Sequence, residues 1–581
     1  MKTLLSAGVK TCNAFNDALE AKLKSNTVAI LSIITLSVLS LWIDGRPFYI
    51  DSYIGHADQA EVANVTQNIL EGNGAVTDSV WVLYGGGREG IPQKLGYWSL
   101  YLAIYQLPFF YLLGPTRQAV LIAASAAKLF SGFSAAYLVN RITRRRLPAL
   151  LCLFGVCFTF YMEDRVNGYS DISLCAALTL AGMFLCIGIE SQRYTSWGLA
   201  GLFGGFATGL KPSGLLSLGL ILGFSLLPRS KTISLSKKIK QTGIALISFA
   251  LAITPLCLYN YEAGGSIWWA DATVVRDAVE TARQLDKPMT IGLYAPDLPS
   301  AMNLELAQGK QLRSIKAENI KGNWKMIGAL AISLALLFFT HRAWLKHFAK
   351  TTSLPTQPKF VAAYLATLLI FAGFLLAVMV HYESRYWCFI FPMYLAWLYI
   401  AVIAANPRLL TFSLIVTFVF AFQAYRSSQW SNDVTYKPHH HKHVDEHHHP
   451  YLEIYRKVDK LIPKDAIVMN ADPWEFAFHT RRRCVAIPYT DNDATFIRVI
   501  NRYAVTHLIL HNNSRHPRTK KWQSGNPPVF LELAHKEEGL AIFRVRNKDA
   551  RSPGSTESSK TFTLSEKTGV SSVGILSETH L

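Results

Sequence analysis

The chain has 581 residues, of which 50% are hydrophobic and only 17% charged. Apolar runs of about 15–22 residues recur along it, the length needed to cross a bilayer, so a soluble globular protein is excluded and a polytopic membrane protein expected. The formal charge of +19 does not point to nucleic acid. The basic residues stand in short clusters between apolar runs, the pattern of cytoplasmic loops, and no nucleic-acid partner is expected.

In chain order, residues 1–26 carry Lys2, Lys10, Lys22 and Lys24 and read as a cytoplasmic N-terminus. The first apolar run, TVAILSIITLSVLSLWI at 27–43, ends in DGRPF with no small-residue cleavage site and reads as an uncleaved signal anchor. Further spanning runs lie near 118–139, 148–162, 171–189, 196–210, 212–227, 241–259, 325–341, 360–380, 386–404 and 408–425, which makes eleven with the first. An N-terminus inside puts RITRRR (141–146), RSKTISLSKKIK (229–240), HRAWLKHFAK (341–350) and Arg408 on the cytoplasmic side. Residues 44–96 and 260–324 then form outer loops. Counting YWSLYLAIYQLPFFYLLG (97–114) as a crossing would reverse the RITRRR loop, so it is expected to be re-entrant or interfacial, broken at Pro108. Twelve or thirteen crossings are the alternatives.

Beyond residue 425 the character changes. Residues 426–450 form a polar, histidine-rich linker. The short β-rich runs AIVMN, CVAIP and THLILH, separated by helical patterns such as DNDATFIRVINRYA, predict a small α/β domain over 451–547. An odd number of crossings places it outside the cytoplasm. Residues 548–581, rich in Ser, Thr and Lys, read as a disordered tail. Of the eight cysteines, Cys152, Cys157, Cys175, Cys186, Cys257 and Cys388 fall in or beside apolar runs, so no disulfide framework follows.

The outer segments carry the candidate chemistry. In HADQAEVANVTQNILEGNG (56–74), Val62, Val65, Ile69 and Leu70 recur at helical spacing and Gly72-Asn73-Gly74 supplies a stop, which predicts an amphipathic helix lying on the outer membrane face. Asp58 opens it, with Glu61 three residues on. One reading is a capping box in which the acid satisfies free helix amides. The other emerges from the remaining outer turns: GYSDIS places Asp171 where a spanning run begins, TGLKPSG places Lys211 between two runs, and HYESRYW places Arg385 beside Tyr386. Each alone reads equally well as an interfacial anchor. Together, acids and bases on one rim suit group transfer from a lipid phosphate: cations hold the phosphate as it departs and a carboxylate takes a proton from the attacking hydroxyl.

These residues resemble, in the same order, the motifs of the GT-C superfamily of membrane glycosyltransferases that use polyprenyl-phosphate sugars, close to the protein O-mannosyltransferases and the lipid A aminoarabinose transferases. DQAEVANVTQNILEG is similar to their first-loop pattern, QKLGYWSLYL with Lys94 to their Lys-Pro-Pro-x-x-Tyr-Trp stretch, GYSD to their second outer-loop Asp, GLKPSG to their Thr-Lys-Gly-Pro turn, and ESRYWCFIFPMYLAW to their Arg-Tyr followed by Pro. The likeness covers roughly 27–425. Gln59 stands where many relatives have Glu, and Leu95-Gly96 replace the paired prolines. The resemblance implies that Asp58 is the catalytic carboxylate and Asp171 a second active-site acid. It further implies that Lys94, Lys211, Arg385 and Tyr386 bind the donor, that the donor is a polyprenyl-phosphate sugar, and that the sugar carbon is inverted.

Other features stand beside this reading. YGGGREG (84–90) lacks the strand-to-helix setting of a nucleotide loop and reads as a loop near the substrate, with Arg88 a donor contact. HHHKHVDEHHH (439–449) holds seven histidines with Asp445 and Glu446, a candidate site for a divalent metal or a solvated linker without one. His56 is polar surface or a metal ligand, and Trp268 and Trp269 are interfacial anchors or sugar-stacking rings. The expected fold is thus an α-helical membrane protein of about 11–13 crossings with a small extracytoplasmic α/β domain, in the inner or plasma membrane. The expected function is sugar transfer to a glycan, lipid or protein acceptor outside the cytoplasm. A lipid-linked-sugar flippase, or a glycan polymerase or ligase using a lipid-diphosphate donor, is the alternative.

Overall fold

The computed structural model describes residues 17–45, 57–80, 91–94, 100–159, 170–226, 234–264, 391–405, 450–487, 493–511 and 517–546, with Ala14 and Ile54. The runs expected at 325–341, 360–380 and 408–425 lie outside these residues, as do nearly all of the linker and of loop 260–324, and the tail.

The first anchor run is helix α1, Asn26–Gly45. It meets the short helical segment Asp17–Leu23 at a bend of 98°. The basic cluster that ends RITRRR fastens this corner. The Arg146 guanidinium donates to the carbonyls of Leu23 and Lys24 and to Asn26 Oδ1, while the Glu20 carboxylate accepts from the backbone N–H of Arg146 and Leu147.

Helix α2, Ala57–Leu70, follows, then the two-residue strands β1 (Val76–Thr77), β2 (Ser79–Val80) and β3 (Gln93–Lys94). The membrane helices described are α3 (Leu100–Leu113), α4 (Arg117–Thr143), α5 (Arg146–Thr159), α6 (Ser170–Ser191), α7 (Tyr194–Leu210), α8 (Leu216–Leu226), α9 (Leu235–Gly264) and α10 (Phe391–Ala405). Among the described residues three helices are long and apolar enough to cross a membrane, within α4, α6 and α9, and a fourth if the bent pair at α1 is one span. The chain is therefore an integral membrane protein. Helices α7 and α9 touch backbone to backbone because Gly201 and Gly205, one turn apart on α7, face the carbonyl oxygens of Ala245 and Phe249, where any Cβ would overlap.

Two expectations are corrected. Pro108 does not break the 97–114 run: α3 is one helix with the proline inside it. At 14 residues it spans about 21 Å, short of the roughly 30 Å apolar core.

The second correction concerns α2, which does not lie as an amphipathic helix on the membrane surface. Ala60, Val62, Ala63 and Val65 are buried, and so are Gln59, Glu61, Asn64, Thr66, Gln67 and Asn68. Val62 and Val65 pack into the membrane-helix core with Leu100–Ala103, while Ala60 and Ala63 meet Trp474 and Phe478 of the C-terminal region. The polar positions are satisfied internally: Thr66 donates to Val62 O, and Asn68 donates to Asp78 Oδ2 at 2.8 Å.

The C-terminal region contains α11 (Pro450–Leu461), β4 (Val468–Asn470), α12 (Pro473–Thr480), β5 (Cys484–Ala486), α13 (Asp493–Arg502), β6 (His507–His511), α14 (Pro517–Ser524), β7 (Leu531–Glu537) and β8 (Leu540–Val545). Its sheet has six strands in the order β2-β5-β4-β6-β8-β7. The first three pairings are parallel and the last two antiparallel, with a turn at Gly539 whose φ is 80°. Both faces are covered, as the period-2 alternation shows: Val468, Ile509 and Ile542 pack with Tyr455 and Phe476, whereas Met469, Leu508, Leu510 and Phe543 pack with Phe496 and Trp522. The edge strand β2 comes from the segment between α2 and α3, about 400 residues earlier, with Ser79 opposite Cys484. The sheet is therefore not closed within 451–547.

Candidate functional site

Asp171 is the second residue of α6, where the positive end of the helix dipole favours a carboxylate. Lys211 is the single extended residue between α7 and a 3-10 turn, Pro212–Leu215. Its backbone is pinned from both sides, its N–H donating to Ala207 O at 3.2 Å and its carbonyl accepting from Gly214 N at 2.8 Å. Gly214 is required because a Cβ there would overlap the backbone of Ala207 and Thr208, and Gly209 because one would overlap the Tyr101 ring. The turn delivers Lys211 Nζ to within 2.6 Å of Asp171 Oδ1. The Asp171 side chain is 1% exposed and that of Lys211 19%, so the pair is largely buried, with the ammonium its more exposed member.

Lys94 sits elsewhere in a fixed setting. Strand β3 pairs with β1, Lys94 opposite Val76. Its ammonium lies 2.6 Å from Glu262 Oε2 and 5.7 Å over the Tyr259 ring, both near the end of α9. The Tyr259 hydroxyl donates to Ala75 O at 2.7 Å, which ties the segment after α2 to α9.

Asp58 stands in the first turn of α2, inside the helix rather than ahead of it, so it is not the N-cap residue of a capping box. Its side chain is outside the described residues, as are Arg88, Arg385, Tyr386, His56, Trp268 and Trp269. The structure thus brings Asp171 and Lys211 together, gives Lys94 a separate carboxylate, and fixes the backbone that carries Asp58.

Several residues that hold α2 were not singled out by sequence. Ile54 N donates to His479 Nε2 at 3.1 Å just before the helix, and Arg481 pairs with Glu71 just after it. Asp78 accepts from Asn68 and, at 3.3 Å, from Asn64, whose Oδ1 takes the Asp78 N–H at 2.7 Å. Asn64, Asn68 and Asp78 were legible as polar residues on a helix face and in the following loop. No sequence signal linked Ile54 or Glu71 to residues some 400 positions later. Among the described residues no three His, Cys, Asp or Glu side chains stand together as metal ligands, and the histidine-rich segment is outside those residues.

Residues 100–257 match the family model described as dolichyl-phosphate-mannose-protein mannosyltransferase. The matched segment carries Asp171 and Lys211. Among solved structures the chain is similar to the apo oligosaccharyltransferase of Archaeoglobus fulgidus, at 11% identity and a TM-score of 0.49, over 83% of this chain and 69% of that one. It is also similar to ArnT from Cupriavidus metallidurans bound to undecaprenyl phosphate, at 9% identity and a TM-score of 0.43, over 92% and 100%. A third likeness is to the arabinosyltransferase EmbB of Mycobacterium smegmatis, at 11% identity and a TM-score of 0.37, over 87% and 45%. The matching family model is that of a mannosyltransferase, and the three structural likenesses, with TM-scores below 0.5, carry no argument of their own. No curated protein matches the chain.

Proposed function

We propose that this protein is an integral-membrane glycosyltransferase that moves a sugar from a polyprenyl-phosphate carrier to an acceptor hydroxyl outside the cytoplasm. The observation that carries the reading is the Asp171–Lys211 pair, 2.6 Å apart at adjoining ends of two membrane helices, inside the segment that matches the dolichyl-phosphate-mannose family. In this scheme Asp58 takes the proton of the acceptor hydroxyl as its oxygen bonds to the anomeric carbon. The bond from that carbon to the phosphate oxygen breaks, and the electron pair leaves with the polyprenyl phosphate. Lys211, with Arg385, Tyr386, Lys94 and Arg88, stabilises the charge that grows on the departing phosphate, and Asp171 holds Lys211 in place. Attack from the face opposite the phosphate gives inversion. The site and the C-terminal sheet share the outer side, with eleven to thirteen crossings in all.

The test is direct. Purified protein given a radiolabelled polyprenyl-phosphate sugar should pass label to an acceptor extract from the cell envelope, and Asp58→Asn should abolish transfer while the thermal unfolding midpoint is unchanged. Undiminished transfer by that variant overturns the role of Asp58. Label that crosses sealed vesicles without being transferred overturns the enzyme reading.

A further inference from the structure

Lys128 lies within α4, in the interior of a helix apolar enough to span the membrane, and is 2% exposed. An ionisable group at such a position is rare because burying a charge in hydrocarbon is costly, and it faces the bundle interior where a partner or a ligand offsets that cost. Two contacts fix α4 against α6. At one end Arg141 pairs with Glu190; nearer the other, the Ser131 hydroxyl, which donates to Ala127 O, lies beside the Cys175 thiol. Residue numbers rise together across both contacts, so the helices run side by side in one direction. Lys128 is three residues before Ser131, and Asp171 four before Cys175. Positions three or four apart share a helix face, and these steps climb about 4.5 Å and 6 Å. Counted from Ser131 and Cys175, Lys128 and Asp171 therefore lie near one level of the seam, and Lys211 pairs with Asp171.

We infer that Lys128 is a positioning residue of the donor site: it balances the charge of Asp171 from within, so that Lys211 keeps a net positive charge to offer a phosphate anion. Asp171 and Lys211 alone are a neutral pair with little field for an anion. With Lys128 the trio carries one surplus positive charge, displayed at Lys211, its most exposed member, where a low dielectric strengthens its pull on phosphate. Lys128 acts through Asp171 and need not touch the substrate. The inference rests on the donor reading given above and assigns a residue to it.

The probe is a radiolabelled short-chain polyprenyl phosphate without sugar, bound to the full chain in detergent and measured by equilibrium dialysis. Lys128→Gln, similar in length but uncharged, should weaken binding about tenfold, within the usual range of coupling between sites, and Lys128→Arg should restore most of it. Adding Asp171→Asn to Lys128→Gln brings the net charge back to one and should recover much of the lost affinity. A merely structural lysine would give two losses that add. Parent-like binding by Lys128→Gln, or a double variant weaker than either single one, overturns the inference. Lys211→Gln separates the two claims: if it too binds like the parent, the donor reading itself fails, whereas loss there with no change at Lys128 refutes the Lys128 role alone. Should Lys128→Gln not fold, Lys128→Arg and Lys128→Met/Asp171→Asn carry the same comparison of charge.

Discussion

Gly214 and Gly243 are the same residue with opposite consequences. At Gly214 a methyl group would meet backbone atoms of Ala207 and Thr208, which cannot rotate aside. Gly214→Ala should therefore displace the turn that carries Lys211, costing about 1–3 kcal/mol of stability and most of the transfer activity. Gly243, inside α9, has nothing within 4 Å of a built Cβ. Gly243→Ala should raise the thermal midpoint, since alanine favours a helix by up to about 1 kcal/mol, with transfer intact. Activity assays and thermal unfolding of the two variants side by side check both. His511 offers a pH readout. It is buried between β4 and β8, against the Tyr451 ring, and burial holds its imidazole below the usual value near 6.5 although Asp472 pulls the other way. The unfolded chain then takes up a proton first as pH falls, so sheet stability should be lost on going below about pH 6.5. The protection of β6 amides against exchange, corrected for the intrinsic rate at each pH, should fall between pH 7.5 and 5.5, and His511→Phe should lessen the change while His507, shifted the same way by burial, leaves a residual slope. At this scale Asp171 and Lys211 were readable because a charge at the end of an apolar run stands out. Lys128 was not, because one lysine inside such a run barely alters its hydropathy, and Glu262 had no motif around it.

Helix α2 shows how an element can be recognised and its setting missed. The 3.6-residue recurrence of Val62, Val65 and Ile69 located it, and the glycines after it ended it. The polar face looked like a face for water because the helix that covers it, α12, is encoded some 400 residues later. The two contacts between these helices differ in weight. Trp474 is 5% exposed and packs with Ile54, Ala60, Ala63 and Phe110. Trp474→Ala should cost about 3–5 kcal/mol and lower transfer by loosening the helix that bears Asp58. Arg481 and Glu71 form a pair whose side chains are 44% and 47% exposed, and Arg481→Ala should change stability by no more than about 1 kcal/mol. Chemical denaturation of the purified variants ranks the two contacts, and equal costs would contradict this account. Pro108 teaches a similar lesson: a proline predicts a break only where nothing else supports the helix, and here Tyr101, Leu102, Ala103 and Phe110 bury the segment on either side.

At the scale of the molecule, membrane character, helical class and the β-rich runs were legible, since each depends on local composition or periodicity. The joining of the segment between α2 and α3 to the C-terminal sheet was not, because the two residues of β2 carry no strand signal of their own and are recruited by β5. A chain cut after residue 449 keeps every proposed site residue yet loses the cover of α2 and the partner of β2. It should insert in the membrane but transfer no sugar, and supplying residues 450–546 as a separate polypeptide to it should restore some activity if the loop itself is sound. Full activity of the shortened chain would mean that the sheet has no part in the site.

The parallel pairing of Ser79 with Cys484 also sets an order of events during biosynthesis. The segment bearing Asp58 is translated early, but β5, the strand partner of β2, is made about 400 residues later, after all the described membrane helices. A half-finished chain therefore holds α2 and β2 without the partners that cover and pair with them.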